Sequence, residues 1–170
     1  FKIADTPMNM ILLGEDKLKG YIKTIGLYNK KAKNIMNSCH IILDNYHQKI
    51  PDNFKDLCKL PGIGRKSANV LLNTLFGQPT IAVDTHVFRV SNRLGLCKTH
   101  TVNNTEAELK QKIPNKWQKN AHNWLVLHGR YICKARKPLC TECSVRLFCQ
   151  HYNNKIKIDQ NPSTSAINVC

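Results

Sequence analysis

A glycine-rich turn in this chain is followed at once by a lysine and, further on, by an aspartate. The turn is Leu60-Pro61-Gly62-Ile63-Gly64, the lysine is Lys66, and the aspartate is Asp84 in a Val-Asp-Thr-His segment. Gly62 and Gly64 can adopt positive φ and leave backbone N–H groups accessible, so the turn can hold a phosphate. An amine and a carboxylate beside such a turn could perform covalent chemistry on a phosphate-bearing polymer.

Lys66 is predicted to lie in the first turn of a helix. Apolar residues recur at helical spacing from Arg65 to Phe76, and Gly77 and Pro79 end the pattern. The partial positive charge of a helix N-terminus and the neighbouring Arg65 both disfavour an ammonium at Lys66. This position therefore favours the neutral amine that a nucleophile requires.

The chain is long enough between these residues for Asp84 to return to Lys66. A helix from Lys66 to Phe76 rises roughly 15 Å, and extended residues from Gly77 to Asp84 span at most roughly 23 Å. Each residue also has an ordinary structural explanation, Lys66 as a solvated first-turn lysine and Asp84 as the N-cap of a helix over 85–94. The capping role is expected in either case, and the combination of turn, amine and carboxylate favours catalysis.

Four cysteines near the C-terminus form a second group with chemical potential. They are Cys133, Cys140, Cys143 and Cys149, spaced C-x6-C-x2-C-x5-C. Disulfides are the weakest explanation, because no secretory segment is present and the basic composition indicates an intracellular protein. Structural zinc remains open, although zinc sites usually pair two short cysteine knuckles. A [4Fe-4S] cluster suits the longer spacings better.

The loop between the first two of these cysteines is basic. It contains Lys134, Arg136 and Lys137, so metal ligation at both ends would make it a rigid phosphate contact. The remaining cysteines show no comparable grouping, and Cys39 fits the apolar face of a helix as a small core residue. Those ungrouped cysteines are Cys39, Cys58, Cys97 and Cys170.

Length and charge agree with a nucleic-acid-binding protein. The 170 residues include 26 Lys and Arg against 11 Asp and Glu, which gives a formal net charge of +15. This charge favours nucleic acid as the partner, with a membrane surface as the alternative. No apolar run is long enough to span a bilayer, and the N-terminus lacks a signal-peptide core.

The rest of the sequence predicts an all-α fold, since no segment of any length alternates as a strand would. Helices are predicted from Thr6-Pro7 to Gly14, along a face containing Ala32 and Met36, and over 120–133. In the last of these, Trp124, Leu127, His128 and Tyr131 share one face. Thr105 and Glu108 form a capping box for another helix, which Pro114 closes.

Together these motifs resemble the endonuclease III family of helix-hairpin-helix DNA glycosylases. The resemblance rests on the hairpin Leu60 to Gly64, on Lys66, on Asp84 and on the four-cysteine loop, and it runs from about residue 6 to residue 158. A lysine after the hairpin is typical of endonuclease III, whereas the related adenine DNA glycosylases lack it. The chain begins inside the family pattern, so we predict an N-terminally incomplete member.

The resemblance implies two lobes with DNA across the cleft between them. A helical barrel lobe would cover 1–82, an iron-sulfur lobe 83–150, and a tail 151–170 that is disordered after about residue 158. Lys66 would attack C1′ of a flipped nucleotide, and Asp84 would stabilise positive charge at the sugar and assist proton transfers. The [4Fe-4S] cluster on Cys133, Cys140, Cys143 and Cys149 would be structural.

The implied function is a bifunctional DNA N-glycosylase and abasic-site lyase of base excision repair. The partner would be double-stranded DNA with oxidised pyrimidines or abasic sites, bound by a cytoplasmic, nucleoid-associated monomer with no membrane contact. The alternatives are a non-catalytic DNA-binding module and a monofunctional glycosylase. Leu27, on an exposed turn, matches the position that wedges into the duplex. The residues expected to contact DNA are Leu27, Leu60, Gly62, Ile63, Gly64, Arg65, His86, Lys134, Arg136 and Lys137.

Overall fold

The fold is all-α, as the sequence predicts. A computed structural model describes residues 3–160, and all regular structure in that range is helical. Two 3-10 turns, Cys140–Glu142 and Arg146–Phe148, separate α8 from α9. The α-helices are α1 (Pro7–Leu13), α2 (Glu15–Ile22), α3 (Tyr28–Tyr46), α4 (Phe54–Leu57), α5 (Arg65–Phe76), α6 (Thr85–Leu94), α7 (Val102–Lys112), α8 (Asn115–Tyr131) and α9 (Gln150–Gln160).

The chain divides into two compact units between Phe76 and Gly77. The lobe boundary that the resemblance implies lies a few residues later, between Ala82 and Val83. Helix α9 occupies the start of the segment predicted as a tail from residue 151. The rest of that tail lies outside the described residues. None of the helices in the described range is long and apolar enough to cross a membrane.

The first unit has two apolar clusters. Helices α1 and α2 pack on the N-terminal half of α3, around Leu18, Ala32 and Met36. The second cluster joins the C-terminal half of α3 to α4 and α5. The hairpin turn therefore lies between two helices that are both anchored in this second core. Its buried members are Ile42, Leu57, Leu60, Ala68 and Leu72.

The second unit is built on the contact between α6 and α8. Gly129 makes that contact close, because a Cβ at this position would lie 3.0 Å from both His86 Cβ and Val90 Cγ2. Such distances are shorter than ordinary van der Waals contact, so a side chain at this position would force its neighbours on α6 to move. The core of this unit contains Ile81, Val83, Val87, Val90, Leu109, Ala121 and Leu125.

Helix α8 differs from the predicted helix over 120–133 in both start and orientation. It begins at Asn115, because Pro114 not only closes the preceding helix but also stands at the N-cap of this one. The predicted face is mostly exposed, with Trp124 50% and Tyr131 59% accessible. The buried face instead contains Gln118, Ala121, Leu125 and Gly129. Close approach at Gly129 decides which face packs.

Helix α7 also begins earlier than predicted. Its N-cap is Thr101, whose side chain accepts a hydrogen bond from the Asn104 backbone N–H at 3.2 Å. The expected capping box of Thr105 and Glu108 is therefore wrong, since both residues lie inside the helix. Thr105 is fully buried, and its hydroxyl donates to the carbonyl of Thr101 at 2.8 Å. Two threonines four residues apart offer similar local signals, and packing selects the first.

Candidate active site and metal centre

The hairpin turn is held from both sides by the first unit. The Ile63 N–H donates to the Leu60 carbonyl at 3.0 Å, which closes the turn. The Ser38 hydroxyl on α3 donates to the Pro61 carbonyl at 3.1 Å. Gly62 adopts φ +82°, the left-handed conformation that favours glycine. The turn is therefore a defined backbone structure with exposed glycines at Gly62 and Gly64.

Substitutions at the two hairpin glycines should have different effects. A Cβ at Gly62 would lie 2.8 Å from Asn34 Nδ2, whereas a Cβ at Gly64 would meet nothing within 4 Å. We expect Gly62→Ala to lower the free energy of unfolding by about 1–2 kcal/mol, because alanine is strained at a left-handed φ and its Cβ would also meet the Asn34 side chain. Gly64→Ala is the matched control and should change it by less than about 0.5 kcal/mol. Urea unfolding of both variants measures the difference, and equal losses would contradict it.

Helix α5 begins directly after the turn, with the Ala68 N–H donating to the Gly64 carbonyl at 2.9 Å. The predicted bounds, Arg65 to Phe76, are confirmed. Lys66 lies in the first turn and is exposed. The Arg65 guanidinium lies 5.1 Å from the ring centroid of Phe54, within cation–π distance. An exposed amine thus stands where backbone N–H groups and a helix N-terminus attract phosphate.

Two residues expected to contact DNA differ in how accessible they are. The Leu60 side chain is 2% exposed and belongs to the core, so only its backbone could face a ligand. Leu27 is 75% exposed and has φ +60°, which is uncommon for a residue other than glycine. It immediately precedes α3 at the N-cap position. The turn thus presents an apolar side chain to solvent at some conformational cost.

Asp84 caps the first helix of the second unit. Its Oδ1 accepts hydrogen bonds from the backbone N–H groups of His86 and Val87, both at 2.9 Å. The predicted cap and the predicted helix bounds are confirmed. Both cap bonds end on the same oxygen, so the cap does not use the other carboxylate oxygen.

Two arginines on α6 that the sequence interpretation overlooked tie this helix to the first cysteine. The Arg89 Nε–H donates to the Cys133 carbonyl at 3.1 Å, and its Nη2 donates to the Gly129 carbonyl at 2.8 Å. Nη2 also lies 3.2 Å from His86 Nδ1. The second arginine, Arg93, binds the loop after Cys133. Their spacing of four residues on one helix is the signal that could have indicated a shared face.

The four grouped cysteines line a single cavity. Cys143 and Cys149 are 7% and 8% exposed, and Cys133 and Cys140 are half-buried. Apolar residues, including Leu94 and Ile132, form much of the remaining wall. Cys149 Sγ lies 3.3 Å from the Arg93 carbonyl oxygen, and Cys143 Sγ lies 3.8 Å from His128 Nε2. The structure therefore brings together the cysteines that the spacing groups.

The electrostatics of this cavity disfavour a bare thiolate at Cys140. Burial raises the pKa of the Cys140 thiol, and the nearby Cys133 and Cys149 raise it further. Burial lowers the pKa of His128, so this wall of the cavity favours neutral imidazole. A cationic centre would reverse this preference at Cys140. In the part of the chain that the structure describes, no three histidine, cysteine or carboxylate side chains already form a group able to hold a single metal ion.

The fold and site define a class of protein. A family model described as the HhH-GPD superfamily of base excision DNA repair proteins matches residues 1–115. This range contains the hairpin, Lys66 and Asp84. The chain thus has the architecture of the DNA glycosylases that act in base excision repair.

Comparison with individual relatives narrows this superfamily to one family. Endonuclease III of Rickettsia felis is 56% identical over 92% of this chain and 73% of its own length. Endonuclease III of Escherichia coli K12 is 48% identical over 93% of this chain and 74% of its own length. A solved structure of a trapped endonuclease III–DNA covalent intermediate has a TM-score of 0.84 and 39% identity, covering 92% of this chain and 74% of that one. The chain belongs to the endonuclease III family.

Proposed function

We propose that this chain is a bifunctional glycosylase and abasic-site lyase acting on double-stranded DNA that contains oxidised pyrimidines or abasic sites. The Lys66 amine attacks C1′ of a flipped nucleotide, the glycosidic bond breaks and the damaged base leaves. The C1′–O4′ bond of the sugar then opens, O4′ is protonated, and a protonated Schiff base between Lys66 and C1′ results. Loss of a C2′ proton then allows β-elimination, which breaks the strand 3′ to the lesion. The protein acts as a monomer.

The observation that carries this proposal is the exposed Lys66 in the first turn of α5, directly after the hairpin. The hairpin backbone offers phosphate contacts next to the amine. A relative that is 39% identical has been captured as a covalent intermediate with DNA, which requires a nucleophile on that protein. Lys66 is the nucleophile that we propose for this chain.

Asp84 is proposed to stabilise positive charge at the sugar and to assist proton transfer. Its cap bonds fix the carboxylate at the start of α6, with both bonds on Oδ1. A carboxylate fixed in this way does not have to reorganise as charge develops. Leu27 is proposed as the wedge in the duplex, since its side chain is 75% exposed on a turn. The exposed Lys134, Arg136 and Lys137 are proposed phosphate contacts.

The test separates this proposal from its two alternatives. A duplex with one oxidised pyrimidine should lose the base and be cleaved on its 3′ side. A monofunctional glycosylase would release the base without cleavage, and a DNA-binding module would do neither. Affinity for undamaged duplex should also fall steeply with salt, because phosphate contacts release counterions. A flat response to salt would contradict the proposed DNA contacts.

The four cysteines are proposed to hold a [4Fe-4S] cluster. Four soft thiol donors around one cavity suit an iron-sulfur centre, in which each cysteine binds one iron. Such a cluster would be structural, fixing the ends of the basic loop. Zinc remains the alternative, because a set of four cysteine thiolates also binds zinc.

Metal analysis should identify the centre. We expect about four iron atoms per chain and broad visible absorbance, because a cubane contains four irons in a charge-transfer environment. Cys143→Ser should lower the iron content and the absorbance together. The control is Cys58→Ser, which changes an exposed cysteine outside the group. One zinc per chain without visible absorbance would show that the cluster assignment is wrong.

A further inference from the structure

The basic loop after Cys133 has little structure of its own. Residues 134–138 form neither helix nor strand, and residues 135–137 form a bend. The Lys134 and Leu139 N–H groups both donate to the Ile132 carbonyl, each at 2.9 Å, which closes the loop at its base. The side chains of Lys134, Arg136 and Lys137 are exposed. Something beyond these two bonds must fix where the three cations point.

Arg93 on α6 binds the backbone of this loop directly. Its Nη1 donates to the Lys134 carbonyl and its Nη2 to the Ala135 carbonyl, both at 2.8 Å. Nη1 also lies 3.6 Å from Cys133 Sγ. A planar guanidinium can bind two successive carbonyls through its two Nη atoms, whereas a lysine ammonium cannot reproduce this pair of hydrogen bonds. The spacing of the two Nη donors of Arg93 matches the spacing of the Lys134 and Ala135 carbonyl oxygens.

Arg93 is also well anchored at its own end. It lies one turn after Arg89, which binds the Cys133 carbonyl from the same helix. Its own carbonyl oxygen lies 3.3 Å from Cys149 Sγ. Helix α6 therefore contacts the first cysteine, the last cysteine and the loop backbone. Because α6 is packed in the core, a side chain on it can hold an irregular loop in one position through hydrogen bonds.

We propose that Arg93 is a positioning residue for DNA binding. It orders the loop so that Lys134, Arg136 and Lys137 meet the phosphate backbone together. This inference rests on the proposed function, in which those three cations contact DNA. Arg93 acts through the loop and makes no contact with DNA itself. The geometry of its two hydrogen bonds to the loop, rather than its charge, therefore determines its effect on DNA binding.

The test uses Arg93→Lys, which keeps the charge, and Arg93→Met, which removes it. Both should weaken binding of the holoprotein to undamaged duplex by roughly three- to tenfold, because the loop cations lose their common orientation. Amide hydrogen exchange at Lys134 and Leu139, whose N–H groups close the loop, should become faster in both variants. Arg130→Met removes an equal charge from an exposed site on α8 and is the control.

A background that lacks the loop cations separates positioning from a direct contact. In a protein carrying Lys134→Ala, Arg136→Ala and Lys137→Ala, the further change Arg93→Lys should have no effect on affinity. Arg130→Met should have the same effect in both backgrounds. An Arg93 effect of equal size in both backgrounds would overturn the inference, as would wild-type affinity in Arg93→Lys.

Two readouts distinguish failure of this inference from failure of the proposed function. A covalent adduct with wild-type protein, together with unchanged affinity in Arg93→Lys, overturns the role of Arg93 and leaves the lyase chemistry intact. Absence of any adduct with wild-type protein defeats the lyase proposal, while the affinity comparison still reports on Arg93. Arg93→Lys is the milder variant, so its helical content and iron content are compared with wild type before binding is measured.

Discussion

Replacing Lys66 with alanine is expected to abolish the adduct that borohydride traps on an abasic-site duplex. Reduction captures the iminium between the lysine nitrogen and C1′, and alanine has no amine to form it. Strand cleavage should fall by at least about 10³-fold, as is typical when a covalent nucleophile is removed. Gel analysis of the trapped protein–DNA species and of the cleaved strand measures both quantities.

The binding of Lys66→Ala should change much less than its chemistry. The hairpin backbone and the loop cations remain, so affinity for undamaged duplex should stay within a few-fold of wild type. Lys17→Ala, an exposed lysine on α2, is the matched control and should form the adduct normally. A full yield of adduct from Lys66→Ala would assign the nucleophile to another amine. Base release without any adduct in wild type would favour the monofunctional alternative.

The second large effect is expected for Asp84→Asn. Asparagine is as good an N-cap as aspartate, so the free energy of unfolding should change by less than about 0.5 kcal/mol. The negative charge is lost, however, and with it the stabilisation of the sugar cation. Release of an oxidised pyrimidine should slow by roughly 10²- to 10³-fold. Single-turnover base release and urea unfolding are measured on the same preparation.

Comparison with Asp84→Ala and Asp84→Ser isolates the cap. Alanine removes both the charge and the hydrogen bonds to His86 and Val87, so it should also cost about 0.5–2 kcal/mol of stability. Serine restores a cap without a carboxylate and should recover stability but not activity. Activity that tracks stability across the three variants would mean that Asp84 serves only as a cap.

Local sequence signals were sufficient to predict where the helices beside Lys66 and Asp84 begin. Helix α5 begins at Arg65 and α6 at Thr85, as predicted, because a glycine turn and an aspartate N-cap each act within a few residues. The grouping of the four cysteines around one cavity also followed from their spacing alone. These features depend on backbone conformation and short loops, which a sequence encodes directly.

Features that depend on a distant partner were not accessible in this way. The packed face of α8 is fixed by the close approach of α6 at Gly129, and the exposed Trp124 and Tyr131 satisfy the helical pattern equally well. The start of α7 at Thr101 rather than Thr105 likewise depends on which threonine is buried. Helical periodicity identifies candidate faces, and packing selects among them.

The sequence alone predicts the amine at Lys66, the carboxylate at Asp84 and the four cysteines as the site residues, because residue type and short spacing define what chemistry a segment can perform. It could not reveal that Leu60 is a core residue or that Arg93 binds the carbonyls of Lys134 and Ala135. The Arg93 contacts join residues about forty positions apart in the sequence, and only the packing of α6 against the cysteine segment brings these residues together. The tertiary structure thus orients the groups whose chemistry the sequence predicts.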